Sequence, residues 1–361
     1  MKVLHIINNL SSGGAESMLR HIAVIQKQKG VDVEILIFSS KNCVFKDILI
    51  NNNIKIHSLN ATFVYNPFII FKLIKYLKCD FDIFHVHLFP PQYWVAIASL
   101  FIRKKINIIF TEHSTHNRRR DIPFLYFLER FIYKKYSKIV CISEGVFANL
   151  NGWIGLKEKQ IVIRNGILLE KFSKAIPYSK NELGFRDDDI LVIMVGRFTE
   201  AKDHKTVVDT FKLLDKNVHL LLVGEGVLKN DTVKYVDHCQ LNNKIHFLGF
   251  RNDIERLYKT CDFGILSSNW EGFGLVAVEC MVCCKPIICT NINGLNEVMP
   301  FKELQFEIGN IDELSTIINK LINNKDFYEK YSLKSFKQSE LFDIENTVNE
   351  YNRLYSSLIN F

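Results

Sequence analysis

The sequence predicts an α/β protein built of two doubly wound parallel-sheet domains, and three observations carry that prediction. Both halves of the 361-residue chain repeat a strand-then-helix rhythm, the pattern that produces parallel sheets covered by helices. The length exceeds what a single core usually serves. Between the halves, RNGILLEKFSKAIPYSKNELGFRDDD (residues 164–189) lacks a clear period and holds one proline and two glycines, as a domain boundary does.

The elements follow in order. In the first half the strand candidates are KVLHIIN, VDVEILIF, IKIHSL, DIFHVHL, INIIFTEH and KIVCIS; in the second they are ILVIMVGR, NVHLLLVG, KIHFLGF, DFGILS and KPIICT. Each is short, rich in Ile and Val, and bounded by polar residues or glycine. Helical patterns run from about Ile311 to the end. The expected domains are residues 1–170 and 171–340, with a terminal helix over 341–361 that packs back on the first. Two Rossmann-like domains facing across a cleft suit a transfer reaction, because closure excludes water from the reacting atoms.

Composition narrows the class. The apolar fraction of 48% and charged fraction of 24% are those of a globular protein, and no membrane span is expected. The opening MKVLHIINNL resembles a first strand better than a secretion signal, so a cytoplasmic protein is expected. Nine cysteines show neither a disulfide framework nor paired metal knuckles. Cys280, Cys283, Cys284 and Cys289 read as small core hydrophobes. The net charge of +7 is unevenly spread: residues 1–165 hold 23 Lys and Arg against 11 Asp and Glu, and the remainder 23 against 28. The basic first half would draw an anionic surface or substrate.

Two stretches carry chemistry. In SSNWEGFGLVAVECM (267–281) a buried strand, Phe263 to Leu266, gives way to Leu275, Val276, Val278 and Met281 at helical spacing. A helix beginning near Phe273 presents backbone N–H groups and a positive dipole end, and Gly272 and Gly274 leave room for a phosphate. Glu271 and Glu279 can each accept from two hydroxyls, which allows one glutamate per sugar. The plainer reading is that Glu271 stabilises the helix dipole and Glu279 is solvated. In VGRFTEAKDHKTVVDTF, a strand runs through Gly196 and Arg197 toward a helix starting near Lys202. Arg197 can fork onto phosphate oxygens and Lys202 adds a point charge, enough to neutralise a diphosphate leaving group without a metal. Lys205 reads as a solubility residue.

GRFTEAK, VGEG, FLGFRNDI, EGFGLVAVE and NGLNEV resemble, in order, the family 4 retaining glycosyltransferases of the GT-B fold. In the first half GGAES, HVHL, TEH, CISE and RNGI fall where that family has counterparts, so the resemblance covers nearly the whole chain. It implies that Arg197 and Lys202 bind the donor diphosphate, that Glu279 holds the nucleotide ribose, and that Glu271 touches the donor sugar. The backbone of Gly272, Phe273, Gly274 and Leu275 would lie over sugar and phosphate, and Gly196 is expected among the donor-binding residues. Gly13 and Gly14 resemble the loop that closes on the diphosphate, and Arg251 falls where residues line the base pocket. His113 resembles the histidine beside the reacting sugar, which makes His113, Arg197, Lys202 and Glu271 the expected catalytic set. His85 and His87 share one face of a strand. With no third ligand evident they read as cleft-wall or core residues, and neither metal nor cofactor is expected. Cys284 stands where the family has a glycine.

The basic first half supplies an acceptor hypothesis. HNRRRDIPFLYFLERFIYKKYSK combines Arg118, Arg119 and Arg120 with Phe124, Phe127, Leu128 and Phe131 and with Lys134 and Lys135; NPFIIFKLIKYLK is similarly mixed. Such helices suit an anionic membrane, or pack on a sheet with their lysines in water. The expected enzyme is a retaining, metal-independent hexosyltransferase that uses a UDP- or GDP-sugar. Its acceptor would be a glycan or lipid-linked sugar in the assembly of lipopolysaccharide, capsule or another surface polysaccharide. It would sit peripherally on the inner face of the cytoplasmic membrane and bind no nucleic acid. A nucleotide-sugar epimerase and a nucleotide-sugar-binding protein without turnover are the alternatives. A dinucleotide oxidoreductase fits less well, because NLSSGGAES lacks the G-x-G-x-x-G turn.

Overall fold

The computed structural model describes residues 1–11, 13–115 and 118–359. It divides into two compact units: unit 1 comprises Met1–Gly166 with the C-terminal segment from Ile344, and unit 2 comprises Ile167–Asp343. The first division falls inside the aperiodic stretch.

Unit 1 runs β1 (Lys2–Ile7), α1 (Gly14–Gln28), β2 (Asp32–Ile37), α2 (Lys46–Asn51), β3 (Lys55–Ser58), α3 (Ile69–Leu77), β4 (Ile83–His87), α4 (Pro91–Ser99), β5 (Asn107–Glu112), α5 (Leu125–Lys134), β6 (Lys138–Cys141), α6 (Glu144–Ile154) and β7 (Gln160–Val162). Its seven strands pair in parallel in the order β3-β2-β1-β4-β5-β6-β7. The winding reverses between β1 and β4, where doubly wound sheets hold their ligands. Val3, Leu4, Ile6 and Ile7 of β1 are fully buried, so this strand is covered on both faces as a central parallel strand must be. The uncharged run from Ile83 to Ile102 is divided between β4 and α4, and Pro90 and Pro91 start the helix where a missing N–H costs nothing. Among the described residues no helix is long and apolar enough to cross a membrane.

Unit 2 continues with α7 (Leu169–Ser173), β8 (Ile190–Val195), α8 (His204–Thr210), β9 (Val218–Val223), α9 (Lys229–His238), β10 (Ile245–Gly249), α10 (Ile254–Thr260), β11 (Phe263–Leu266), α11 (Leu275–Val282), β12 (Ile287–Thr290), β13 (Gln305–Phe306), α12 (Ile311–Asn323) and α13 (Lys325–Ser339). The sheet order β10-β9-β8-β11-β12-β13 repeats the winding of unit 1 and places its own switch point between β8 and β11. Asp203, Asn310 and Asn324 each accept a backbone N–H three residues on and so cap α8, α12 and α13. The chain ends in α14 (Ile344–Ile359), which returns to α1 of unit 1 through Gln26–Asn352 (3.1 Å) and Lys29–Glu345 (2.6 Å).

All eleven strand candidates are strands, and β7 and β13 are added at the sheet edges with three and two residues. The helix expected near Phe273 begins at Leu275, and the one expected near Lys202 begins at His204. Cys284, which replaces the family's glycine, takes φ 59°, the left-handed region that favours glycine. Cys284→Gly is therefore expected to raise stability by about 1 kcal/mol, read as a higher urea midpoint; an unchanged or lower midpoint would show that the turn carries no strain.

Candidate active site

The two chemical stretches meet at the switch point of unit 2. Gly196 and Arg197 leave the end of β8, while Ser267 to Gly274 leave the end of β11. Backbone bonds then lock one loop to the other: Asp203 N to Ser267 O (3.2 Å), Asn269 N to Ala201 O (2.9 Å), and a bridge between Lys202 and Ser268. This pairing fixes the direction of Lys202. Its Nζ lies 2.5 Å from Glu271 Oε2 and 3.0 Å from Ser268 Oγ, with its side chain only 12% exposed. The lysine stem runs alongside Gly196, where a Cβ would sit 3.4 Å from Lys202 Cε, at ordinary van der Waals distance. Arg197 is exposed at the strand end.

Glu271 is set by three forces. Burial raises its pKa, while the Lys202 charge and the N–H groups of Gly272 and Phe273 lower it, and the net result lies below the ordinary glutamate value. It is an anion held at the mouth of α11 beside a cation, an arrangement that can accept hydroxyl protons from a sugar and present Lys202 to a phosphate. The loop is pressed into place by its neighbour after β12. Gly294 takes φ 97°, and a Cβ on it would stand 2.3 Å from the carbonyl oxygen of Glu271. Gly274 takes φ 86°, and a Cβ there would stand 2.3 Å from Leu295 Cδ2. Only glycine permits this double contact. A cavity of about 390 Å³ opens on the α8–α9 side of Lys202, lined in part by Glu200, His204, Tyr235 and Asn269 and not by Glu271.

Glu279 lies in the second turn of α11, and burial pushes its carboxyl up to about 7, opposed by Lys171 and reinforced by Glu255. The consequence for stability has a definite sign. Between the ordinary value of 4.5 and about 7 the folded protein keeps a proton that the unfolded chain has lost. The stabilisation is complete below the unfolded value and is lost as pH rises through about 7. Thermal scans from pH 5 to pH 8, roughly, should show a fall in Tm toward high pH that Glu279→Gln lacks; identical pH profiles for the two proteins would exclude the assignment.

The other expected site residues are placed as follows. Gly13 caps α1 and Gly14 is its first residue, with the Glu16 carboxylate filling the space a Cβ on Gly13 would need. The guanidinium of Arg251 is bound to Asp253 at 2.8 and 2.5 Å, and Tyr178 donates to the same carboxylate at 2.5 Å. His113 follows β5, where burial lowers its pKa to about 4 and leaves a neutral ring whose buried Nε2 has no partner among the described residues. His85 and His87 are core residues, and β1 adds a third histidine, His5, that sequence reasoning passed over.

The arginine triplet needs correction. Arg119 and Arg120 are not surface charges waiting for a membrane. Arg120 is 8% exposed and pairs with Glu112 at 3.1 Å; Arg119 pairs with Glu129 at 2.9 Å and lies 4.1 Å from the centre of the Phe89 ring. Buried carboxylates at the end of β5 and on the inner side of α5 claim both cations. The side chain of Arg118 lies outside the described residues. Lys134 is exposed, and Lys135 stands 4.7 Å over the Phe131 ring. Ser268 was missed as well: it stands second in SSNWEGFGLVAVECM, ahead of the charge and glycines that mark that stretch, and only the bridge to Lys202 gives it a role.

Comparison with known proteins identifies the family and the fold. The family described as "Glycosyltransferase Family 4" matches residues 12–171, and "Glycosyl transferases group 1" matches residues 176–338. An Escherichia coli UDP-Gal:alpha-D-GlcNAc-diphosphoundecaprenol alpha-1,3-galactosyltransferase is 28% identical over 71% of this chain and 69% of its own. A Campylobacter jejuni N-acetylgalactosamine-N,N'-diacetylbacillosaminyl-diphospho-undecaprenol 4-alpha-N-acetylgalactosaminyltransferase is 24% identical over 93% of this chain and 94% of its own. The crystal structure of Anabaena HepE in complex with UDP and glucose superposes with a TM-score of 0.87 at 22% identity, covering 99% of this chain and all of that one. The chain belongs to the family 4 glycosyltransferases and has the GT-B fold.

Proposed function

We propose that the protein transfers a hexose-type sugar, with retention of anomeric configuration, from a UDP-sugar to a hydroxyl of a lipid-linked glycan in surface-polysaccharide assembly. The observation that carries this reading is the Lys202–Ser268–Glu271 cluster at the switch point of unit 2, with the exposed Arg197 at the end of β8. A diphosphate between the two cations and the mouth of α11 would be neutralised by the protein itself, so transfer proceeds without a metal. Glu271 holds the donor sugar, Glu279 the ribose, and Arg251, fixed by Asp253, borders the base. The names of the E. coli and C. jejuni relatives, both acting on diphosphoundecaprenol-linked sugars, support the acceptor class. UDP in the HepE complex supports the base.

In the transfer, the bond from the anomeric carbon to the diphosphate oxygen breaks and the acceptor oxygen bonds to the same face. The acceptor's proton passes to the departing phosphate oxygen, whose charge Arg197 and Lys202 stabilise. The neutral His113 ring accompanies the reacting sugar. The test is incubation of the protein with UDP-galactose, UDP-glucose or UDP-N-acetylhexosamines and a diphosphoundecaprenol-linked acceptor, with and without EDTA. The expected result is UDP release matched by an α-linked lipid product, unaffected by chelator. A free epimerised sugar nucleotide in the absence of acceptor would replace this reading with an epimerase.

Membrane contact on unit 1 rests on α5 rather than on the arginines. Phe124, Phe127, Leu128 and Phe131 form an outward stripe at helical spacing, with Phe124 85% and Phe127 75% exposed, while Glu129, Ile132 and Tyr133 point inward. Lys134 and Lys135 close the stripe, a mixed aromatic and basic face suited to an anionic interface at the cytoplasmic side of the membrane. Phe124→Ser/Phe127→Ser is expected to reduce sedimentation with phosphatidylglycerol vesicles about tenfold. Lys134→Gln/Lys135→Gln should weaken its salt dependence. Equal binding of wild type and the Phe variant would remove α5 from the interface.

A further inference from the structure

Three imidazoles meet at the centre of the unit 1 sheet. His5 of β1 stands opposite His85 of the adjacent parallel strand β4, and His87 lies two residues on and therefore on the same face. All three are buried, at 0, 0 and 1% exposure. His5 Nδ1 is 3.1 Å from His87 Nε2, and the ring centres of His85 and His87 are 4.1 Å apart. One ring nitrogen from each residue lies within 4.8 Å of the other two.

The hydrogen bonds around the trio decide which nitrogens have lone pairs to offer. Gln26 donates its amide to Asn352 Oδ1 at 3.1 Å, so its Oε1, 3.0 Å from His5 Nε2, accepts the proton on that nitrogen. His5 Nδ1 is then a free base pointing at His87. His85 has a hydroxyl at each nitrogen, Tyr355 at 2.6 Å and Thr111 at 2.7 Å; binding an ion through one nitrogen would displace the hydroxyl there and leave the other to accept the ring N–H. A metal-bound histidine characteristically donates its second ring N–H to a protein oxygen, and His5 and His85 already have those oxygens in place.

We propose that His5, His85 and His87 form a three-imidazole site for a divalent transition-metal ion of the zinc class. The distances suit it. Zinc–nitrogen bonds of about 2.0–2.1 Å at tetrahedral angles set ligand nitrogens about 3.3 Å apart, close to the His5–His87 contact of 3.1 Å, and the other separations, within 4.8 Å, would have to close as the rings turn onto the ion. The ligand set selects the ion: neutral nitrogens without a carboxylate favour zinc, cobalt or nickel over magnesium or calcium. With three protein ligands the fourth tetrahedral position is left to a water, and the role proposed for the ion is to brace the sheet. The ion joins β1 to β4 and, through Gln26, Asn352 and Tyr355, joins both strands to α1 and α14 of unit 1. It uses none of the residues assigned above to the diphosphate, so transfer remains metal-independent while folding is not.

The experiment uses the full chain without an affinity tag. Protein is unfolded with EDTA, refolded with or without one equivalent of Zn²⁺ or Co²⁺, dialysed, and assayed by elemental analysis, visible absorption and thermal scan. The expected result is about one bound ion per chain, a ligand-field band for cobalt, and a higher Tm in the metal-loaded protein. His5→Gln and His87→Gln should each lose the ion, while His113→Gln retains it. A wild-type protein that refolds without retained metal, shows no cobalt band and keeps the same Tm would overturn the site and leave a hydrogen-bonded histidine cluster. If His87→Gln does not fold, the wild-type cobalt band decides alone.

Discussion

Lys202→Ala is expected to lower kcat for donor consumption by about 10²–10³-fold, with the fold of unit 2 intact by circular dichroism. The size follows from position rather than charge alone. The loop bridge to Ser268 aims Nζ at Glu271 from 2.5 Å, and its burial means that a diphosphate bound there meets a cation with little water to screen it. Such a group needs no reorganisation as charge develops on the leaving oxygen. Lys202→Arg should not rescue, because the stem runs against Gly196 and a guanidinium has a different reach. Removing the lysine also withdraws the main force that lowers the Glu271 pKa, so the acidic limb of the rate profile should move to higher pH. In Lys202→Ala/Glu271→Gln the losses should fall short of additive, since each single change already dismantles the pair. Turnover of Lys202→Ala within about threefold of wild type would sink the assignment of the diphosphate to this corner.

What the sequence made legible was local. Alternation of short Ile- and Val-rich runs with helical periods identified eleven strands, because each signal sits within about ten residues. The edge strands β7 and β13 are too short to carry a period, and only pairing with β6 and β12 makes them strands. The loops after β8 and β11 could be marked as chemical because glycines and charges cluster there. Ser268 could not, since its value comes from a lysine 66 residues away. His5 was invisible for a similar reason: it joins His85 across 80 residues only because β1 and β4 are neighbours, and the strand order is not written in the alternation of elements. The arginine triplet was misplaced because a run of cations beside aromatic residues looks the same on paper whether its partners are lipids or buried carboxylates.

That misplacement makes the second large prediction. Arg120→Ala is expected to destabilise unit 1 by about 3–5 kcal/mol, because it strands a buried carboxylate. Glu112 receives Arg120 at 3.1 Å and the Tyr133 hydroxyl at 2.5 Å, with Glu112 and Arg120 side chains each 8% exposed. Arg120 also donates to Asn149 and to the backbone of Thr115, so its loss frees several groups at once. Lys134→Ala on the same surface should change stability by less than about 0.5 kcal/mol, since that side chain is solvated. Urea denaturation reads both. Glu112→Gln/Arg120→Met should recover much of the loss, because Tyr133 can still donate to the glutamine oxygen and no unpaired charge remains. The same variants separate folding from membrane contact. If Arg120→Ala loses vesicle binding together with a large fall in its urea midpoint, the arginine serves the core. If it loses vesicle binding at a wild-type midpoint, the Glu112 pair is dispensable and the cation belongs to the lipid interface after all.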